Sequence, residues 1–170
     1  MPRAIYGFPN PVNEVAARTV AAGVLALSLL TLVLSTALGT GWLWLTAVLA
    51  YGFVARVLTG PTLSPLGQLA TRVVAPRVGH EKLVAGPPKR FAQALGATMS
   101  LAAVVLHWGF GLDTAALALV GLIATAAALE SVFAFCVGCT VFAGLMRVGL
   151  VPAQTCAACA NVSLGGPRSG

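Results

Sequence analysis

The chain has 170 residues, 58% of them apolar and only 8% charged, with a formal net charge of +6. A soluble domain carries roughly 25% charged residues, so a water-covered globule is excluded and the composition is that of one integral membrane domain. The ten basic residues flank the apolar runs or fall in one long loop, without interleaved aromatics, which argues against a nucleic-acid groove.

In chain order, the first apolar run spans residues 17–38. Asn10 is placed to cap it, Pro11 to take the first helical position, and Glu14 to pair with Arg18 at i, i+4. Ser35-Thr36-Ala37 would suit a cleavage site, but the run exceeds the ~7–15 residues of a signal-peptide core, so a retained span is expected. Further runs cover residues 42–58, 91–108 and 114–135. Each approaches the ~17–25 residues needed to cross a ~30 Å hydrocarbon core, and lipid obliges them to be helical. The predicted fold class is an all-α integral membrane four-helix bundle, with residues 1–151 as the membrane domain and 152–170 as a cysteine-containing tail.

Short connections at Gly39-Thr40-Gly41 and Phe110-Gly111-Leu112-Asp113 lack Lys and Arg, whereas the link from Gly60 to Arg90 carries Arg72, Arg77, Lys82, Lys89 and Arg90. The positive-inside bias then predicts both termini and the long loop in the cytoplasm, and both short turns outside. Trp42, Trp44 and Trp108 would form an aromatic belt at the opposite face. Within the loop, Ser64 as cap, Pro65 at N1, and Leu66, Leu69, Ala70, Val73 and Val74 at helical spacing predict an amphipathic helix ended by Pro76. It would lie in the headgroup region or on its own bundle.

The fourth run stays apolar to Leu150, and as one helix it would measure roughly 54 Å, too long for the membrane. The reading is a helical extension to about residue 150, kinked near Gly138 or Gly144 or emerging as a straight rod, and stopped by Pro152.

All four cysteines form C-x-x-C pairs, Cys136/Cys139 and Cys156/Cys159. On a continuous helix the first pair shares a face in apolar surroundings, which disfavour the thiolate, and lacks a helix N-terminus. Thr155 would cap a short tail helix and put Cys156 in its first turn, making Cys156 the better nucleophile. Two chemistries compete with inert burial. One is a relay in which one dithiol passes electrons or sulfur to the other. A cytoplasmic setting makes a resting disulfide unexpected but permits a catalytic one. The other is a four-thiolate zinc site in a non-enzymatic scaffold, since C-x2-C-x16-C-x2-C falls within the zinc spacing window.

Arg56 and Glu130 fall at matching depth, ~21 and ~24 Å from the outer end at ~1.5 Å per residue, and are expected to form an intramembrane ion pair that locks the bundle register. A transport pathway along that pair has no substrate clue, and four helices would have to oligomerise to enclose a pore. His107 reads as an interfacial residue beside Trp108 and His80 as solvated; with no further histidine, a histidine metal site is not legible. Nor is a serine-hydrolase constellation, a phosphate-cradling glycine loop, or a quinone or haem site, and no cofactor other than the alternative zinc is expected.

Gly60-Pro-Thr-Leu-Ser-Pro-Leu-Gly, Ala75-Pro-Arg-Val-Gly, Gly86-Pro-Pro-Lys-Arg-Phe-Ala-Gln and Phe135-Cys-Val-Gly-Cys, in this order, resemble a bacterial membrane family known as domain of unknown function 4395. The opening Gly7-Phe-Pro-Asn-Pro-Val-Asn-Glu and the tail Cys156-x-x-Cys159-x-Asn161 look like its actinobacterial branch. The resemblance implies a four-helix membrane protein whose motif residues are Cys136, Gly138 and Cys139. It also implies thioredoxin-like or sulfurtransferase partners, which favours thiol or sulfur traffic over zinc.

Overall fold

Residues 10–78 and 83–152 are described by the computed structural model, in which the apolar runs become four long helices. A two-residue strand β1 (Val12–Asn13) leads into α1 (Glu14–Leu38). Gly39, at φ 109°, turns the chain into a 3-10 segment (Thr40–Trp44) continuous with α2 (Leu45–Thr59). The long loop holds α3 (Pro65–Leu69), a π-helical turn (Ala70–Val74), α4 (Ala75–Val78) and strand β2 (Leu83–Val84). Then come α5 (Gly86–Phe110), a left-handed Gly111, α6 (Asp113–Phe133) and α7 (Val137–Arg147). The stretches Glu14–Leu38, Thr40–Thr59, Gly86–Phe110 and Asp113–Phe133 are long and apolar enough to cross a membrane. His80 and Lys82 lie outside the described residues, as do Thr155, Cys156 and Cys159.

The start of α1 differs from expectation. Val12 and Asn13 pair antiparallel with Val84 and Leu83, which holds them extended and delays the helix. Asn13, not Asn10, is the cap, accepting from the Val15 and Ala16 amides at 2.9 and 3.4 Å. Asn10 Oδ1 instead accepts from Gly86 N at 3.1 Å, tying this segment to the start of α5. The anticipated Glu14–Arg18 pair gives way to a longer-range contact, since Arg18 donates to the end of α6.

Ser64 does cap the loop helix, accepting from Gly67 N at 3.2 Å. Pro76 does not stop it. The π-type bond from Ala75 N to Ala70 O resets the turn, so that Pro76 falls in the first turn of α4, where a missing N–H costs nothing. The segment packs beneath α1, with Ala70 fully buried and Leu66 lying over Gly23.

Around the bundle the helices run α1, α6, α5, α2, so the first helix packs chiefly on the last span. Their seam is made of small and hydroxylated residues. Ala21, Val24, Ser28, Thr31 and Ser35 of α1 are buried, as are Ala116, Val120, Ile123, Ala124 and Ala127 of α6. Such residues let helix backbones approach closely where no hydrophobic drive exists between helices in lipid. Trp42, Trp44 and Trp108 stand exposed at the end with the short turns, as expected of an aromatic belt. At that end His107 Nδ1 lies 2.6 Å from Asp113 Oδ1.

Candidate functional site

The long fourth apolar run is broken where no glycine or proline marks it. Helix α6 ends at Phe133, and Ala134 takes a left-handed φ of 56°, which costs an L-residue roughly 1–2 kcal/mol. Two devices hold the turn. Phe135 N bonds back six residues to Leu129 O at 3.1 Å, closing the helix end with a wide turn. From α1, the Arg18 guanidinium donates to Ser131 O at 3.0 and 3.2 Å and to Val132 O at 3.2 Å, satisfying carbonyls that the helix end leaves open. Arg18 is solvent-exposed, so Arg18→Leu is expected to destabilise by only about 0.5–1.5 kcal/mol. It should nevertheless raise the rate at which Cys139 is alkylated after reduction; an unchanged rate would mean that the clamp does not set the break.

The break does to Cys136 what the sequence reading had reserved for Cys156. Cys136 is extended, at φ −90° and ψ 103°, and is the N-cap of α7, its Sγ accepting from Cys139 N at 3.3 Å. It is joined to Cys139 as a disulfide, with the Cα atoms 5.2 Å apart. The pair therefore sits at a helix N-terminus, contrary to expectation, because α7 begins afresh at Val137. Neither Gly138 nor Gly144 is the kink, and α7 is no projecting rod. It docks on α5, where a β-carbon on Gly138 would come within 2.5 Å of Ala92 Cβ and 2.6 Å of its Cα. One turn on, Phe142 is buried against Phe91, their ring centroids 5.6 Å apart. The glycine of the C-V-G-C motif is thus where one helix backbone meets another.

The ionisable groups of the spans gather one turn from the end that bears the long loop. Arg56 and Glu130 do not pair. In the ring of helices α2 and α6 stand diagonally, and α5 between them supplies a nearer cation. Lys89, in the first turn of α5, makes the ion pair with Glu130, both side chains being largely buried. Arg56 is only 5% exposed and has neutral partners: Nε donates to Gln93 Oε1 at 2.7 Å, Nη1 to Ser64 Oγ at 3.2 Å, and the guanidinium carbon lies 4.8 Å from the Phe53 ring centroid. Its place in the last turn of α2 contributes about 0.3–1 kcal/mol through the helix dipole, and the aromatic contact about 0.5–2 kcal/mol. Desolvating an isolated cation costs several kcal/mol, so these contacts leave the charge undercompensated.

A cavity of about 120 Å³ joins the dithiol to this layer. Apolar residues of α1, α2, α5 and α6 form most of its wall, and Glu130, Gln93, Cys136 and Gly138 close it. Cys136 is 9% exposed, while Cys139 is only partly buried. The structure thus brings Cys136, Cys139 and Glu130 to one locality and places Arg56 behind Gln93. Among the described residues no group of three or more acidic, histidine or cysteine side chains is arranged to hold a metal ion; Cys156 and Cys159 fall outside them.

Lys89 and Gln93 had no assigned role from sequence. Pro87-Pro88 signalled a helix start at Gly86, which would have put Lys89 in the first turn and Gln93 on the same face one turn deeper.

No curated protein and no solved structure matches the chain. The family model described as "Domain of unknown function (DUF4395)" matches residues 12–147, which include both the α6–α7 break and the Cys136/Cys139 pair, and the chain belongs to that family.

Proposed function

We propose that this protein is a thiol–disulfide exchange accessory of redox or sulfur metabolism in a bacterial cytoplasmic membrane, working through Cys136 and Cys139. The observation that carries the reading is the position of Cys136, which caps α7 and at the same time walls an interior cavity. Its helix N-terminus and the Cys139 amide favour negative charge on the Cys136 sulfur, while Cys139 is the more accessible of the two.

Exchange then has a direction. A thiolate of a soluble thioredoxin-like or sulfurtransferase partner attacks Cys139 Sγ. The Cys136–Cys139 bond breaks, its electron pair leaves on Cys136 as a thiolate, and a mixed disulfide joins Cys139 to the partner. A better-stabilised leaving thiolate leaves faster. The partner's second thiolate releases Cys139, so the partner dithiol is oxidised and the membrane dithiol reduced. Cys156 and Cys159 are the proposed next dithiol, their disulfide accepting the two electrons by the same exchange. The basic residues Arg72, Arg77, Lys89 and Arg90 near the loop end support placing that end, with both termini, in the cytoplasm.

Trapping tests the order of events. In Cys136→Ser the Cys139 thiolate can still run the exchange in reverse: it attacks the disulfide of the oxidised partner and expels one partner thiolate. Lacking its resolving cysteine, this variant should accumulate a reductant-sensitive adduct, whereas Cys139→Ser should form none while the protein still inserts. An adduct that survives Cys139→Ser would place the linkage elsewhere. Intact mass from acid-quenched cells supplies the independent check: loss of hydrogens, or gain of a sulfur removed by reductant, supports cycling. Stoichiometric zinc lost on Cys156→Ser would replace exchange by a four-thiolate scaffold.

A further inference from the structure

A second cavity, of about 190 Å³, lies between the start of α1, the loop helices and the loop end of α5. Its polar wall comes from Arg56, Lys89, Gln93, Asn13 and Thr71, and no carboxylate lines it among the described residues. Apart from Thr71, whose hydroxyl donates to Gly67 O at 2.8 Å, the hydrogen-bond inventory of these groups is one-sided. Gln93 Oε1 is occupied by Arg56 Nε, which leaves its amide N–H groups to donate. Asn13 Oδ1 is occupied by the Val15 and Ala16 amides, which leaves its NH2 likewise. Lys89 spends one N–H on Glu130 and keeps the others. Arg56 makes two side-chain hydrogen bonds, both to neutral oxygens, from five N–H donors. The lining is therefore rich in donors around two cations, of which Lys89 is paired with Glu130.

Charge gives the same answer. The chain has four acidic residues. Glu130 is held by Lys89 and Asp113 by His107, and among the described residues no carboxylate is within ion-pair distance of Arg56. A guanidinium buried to 5% exposure and packed between α2, α5 and the Ser64 turn, with no counter-charge among the described residues, is a place where a bound anion would be strongly stabilised. The cavity volume is several times the ~10–15 Å³ that admits one water, enough for an anion of a few heavy atoms.

We propose that this cavity binds an oxyanion bearing a single compensating negative charge, held by the planar donor fork of Arg56 and supported by Gln93 and Lys89. The oxyanion is either a free small anion or the phosphodiester of an anionic lipid, which present the same oxygens to the same donors. The site stands independently of the dithiol reading, although Gln93 and Val20 wall this cavity and the one closed by Cys136.

The test uses the full chain, delipidated in a non-ionic detergent. Radiolabelled acetate is the free-anion probe in equilibrium dialysis, in a zwitterionic buffer without competing anions. Phosphatidylglycerol, with phosphatidylcholine as control, is the lipid probe, read by retention after washing and by competition with acetate. One equivalent of either probe should bind wild type, at least tenfold more weakly in Arg56→Gln and with intermediate affinity in Arg56→Lys. Acetate binding that phosphatidylglycerol does not displace identifies a free anion. Tight phosphatidylglycerol retention that excludes acetate identifies a headgroup site. If Arg56→Gln fails to fold, Gln93→Met keeps the cation and should still weaken binding severalfold. Absence of saturable binding of both probes to wild type overturns the proposal, as does equal binding by folded Arg56→Gln.

Discussion

Gly138→Val is expected to detach α7 from α5 while leaving the four spans assembled. A side chain there must displace the Ala92 backbone, because even its β-carbon would sit 2.6 Å from Ala92 Cα. Overpacking against a movable side chain costs about 1–3 kcal/mol; a helix backbone has less room to yield, so valine should exceed that range and Gly138→Ala should fall within it. With α7 undocked, Phe142 loses its seat on Phe91 and Cys136 no longer closes the cavity. The measurement is cysteine alkylation of the reduced protein alongside limited proteolysis. Fast alkylation of both motif cysteines and new cleavage within residues 137–147, with the spans protected, is the expected pattern. Wild-type alkylation in Gly138→Val would refute the docking role of this glycine.

Lys89→Leu should be among the most damaging single changes in the bundle. It leaves Glu130 buried without its cation, and removing one member of a buried pair costs about 3–5 kcal/mol. Replacing both members by leucine should recover most of the loss, since two apolar groups leave no orphaned charge. The four proteins of a double-mutant cycle, unfolded thermally in detergent, give the coupling directly. The same cycle on Arg56 and Glu130 should show coupling near zero. Strong coupling there and none with Lys89 would reverse the assignment made from the structure.

The features that depend on one-dimensional pattern were legible in the sequence. Run length marked the spans to within a few residues except at the start of α5, and Ser64-Pro65 marked the loop helix with its true cap. Where readings failed, the missing information was azimuth or a tertiary contact. Depth alone paired Arg56 with Glu130, because distance along a helix does not say which way a side chain faces or which helix stands between. The α6–α7 break left no local mark, since Phe133-Ala134-Phe135 is as apolar as what precedes it. Arg18, more than a hundred residues away in sequence, helps to create it. The dithiol itself was visible as C-V-G-C, but its most informative property, a cysteine at a helix start, exists only because of that break.

The pairing of α1 with α6 governs how the protein can be made. The first span leaves the ribosome long before the helix it fits, with the remaining spans translated in between. At ~5–20 residues per second the interval from Leu38 to Phe133 is roughly 5–20 s. Throughout that time α1, whose Ser28, Thr31 and Ser35 are destined for burial, lacks its main packing partner. Biogenesis must therefore shelter the hydroxyl-bearing face of an otherwise apolar helix in the insertion machinery or against its own siblings, and the bundle can close only when the last span arrives.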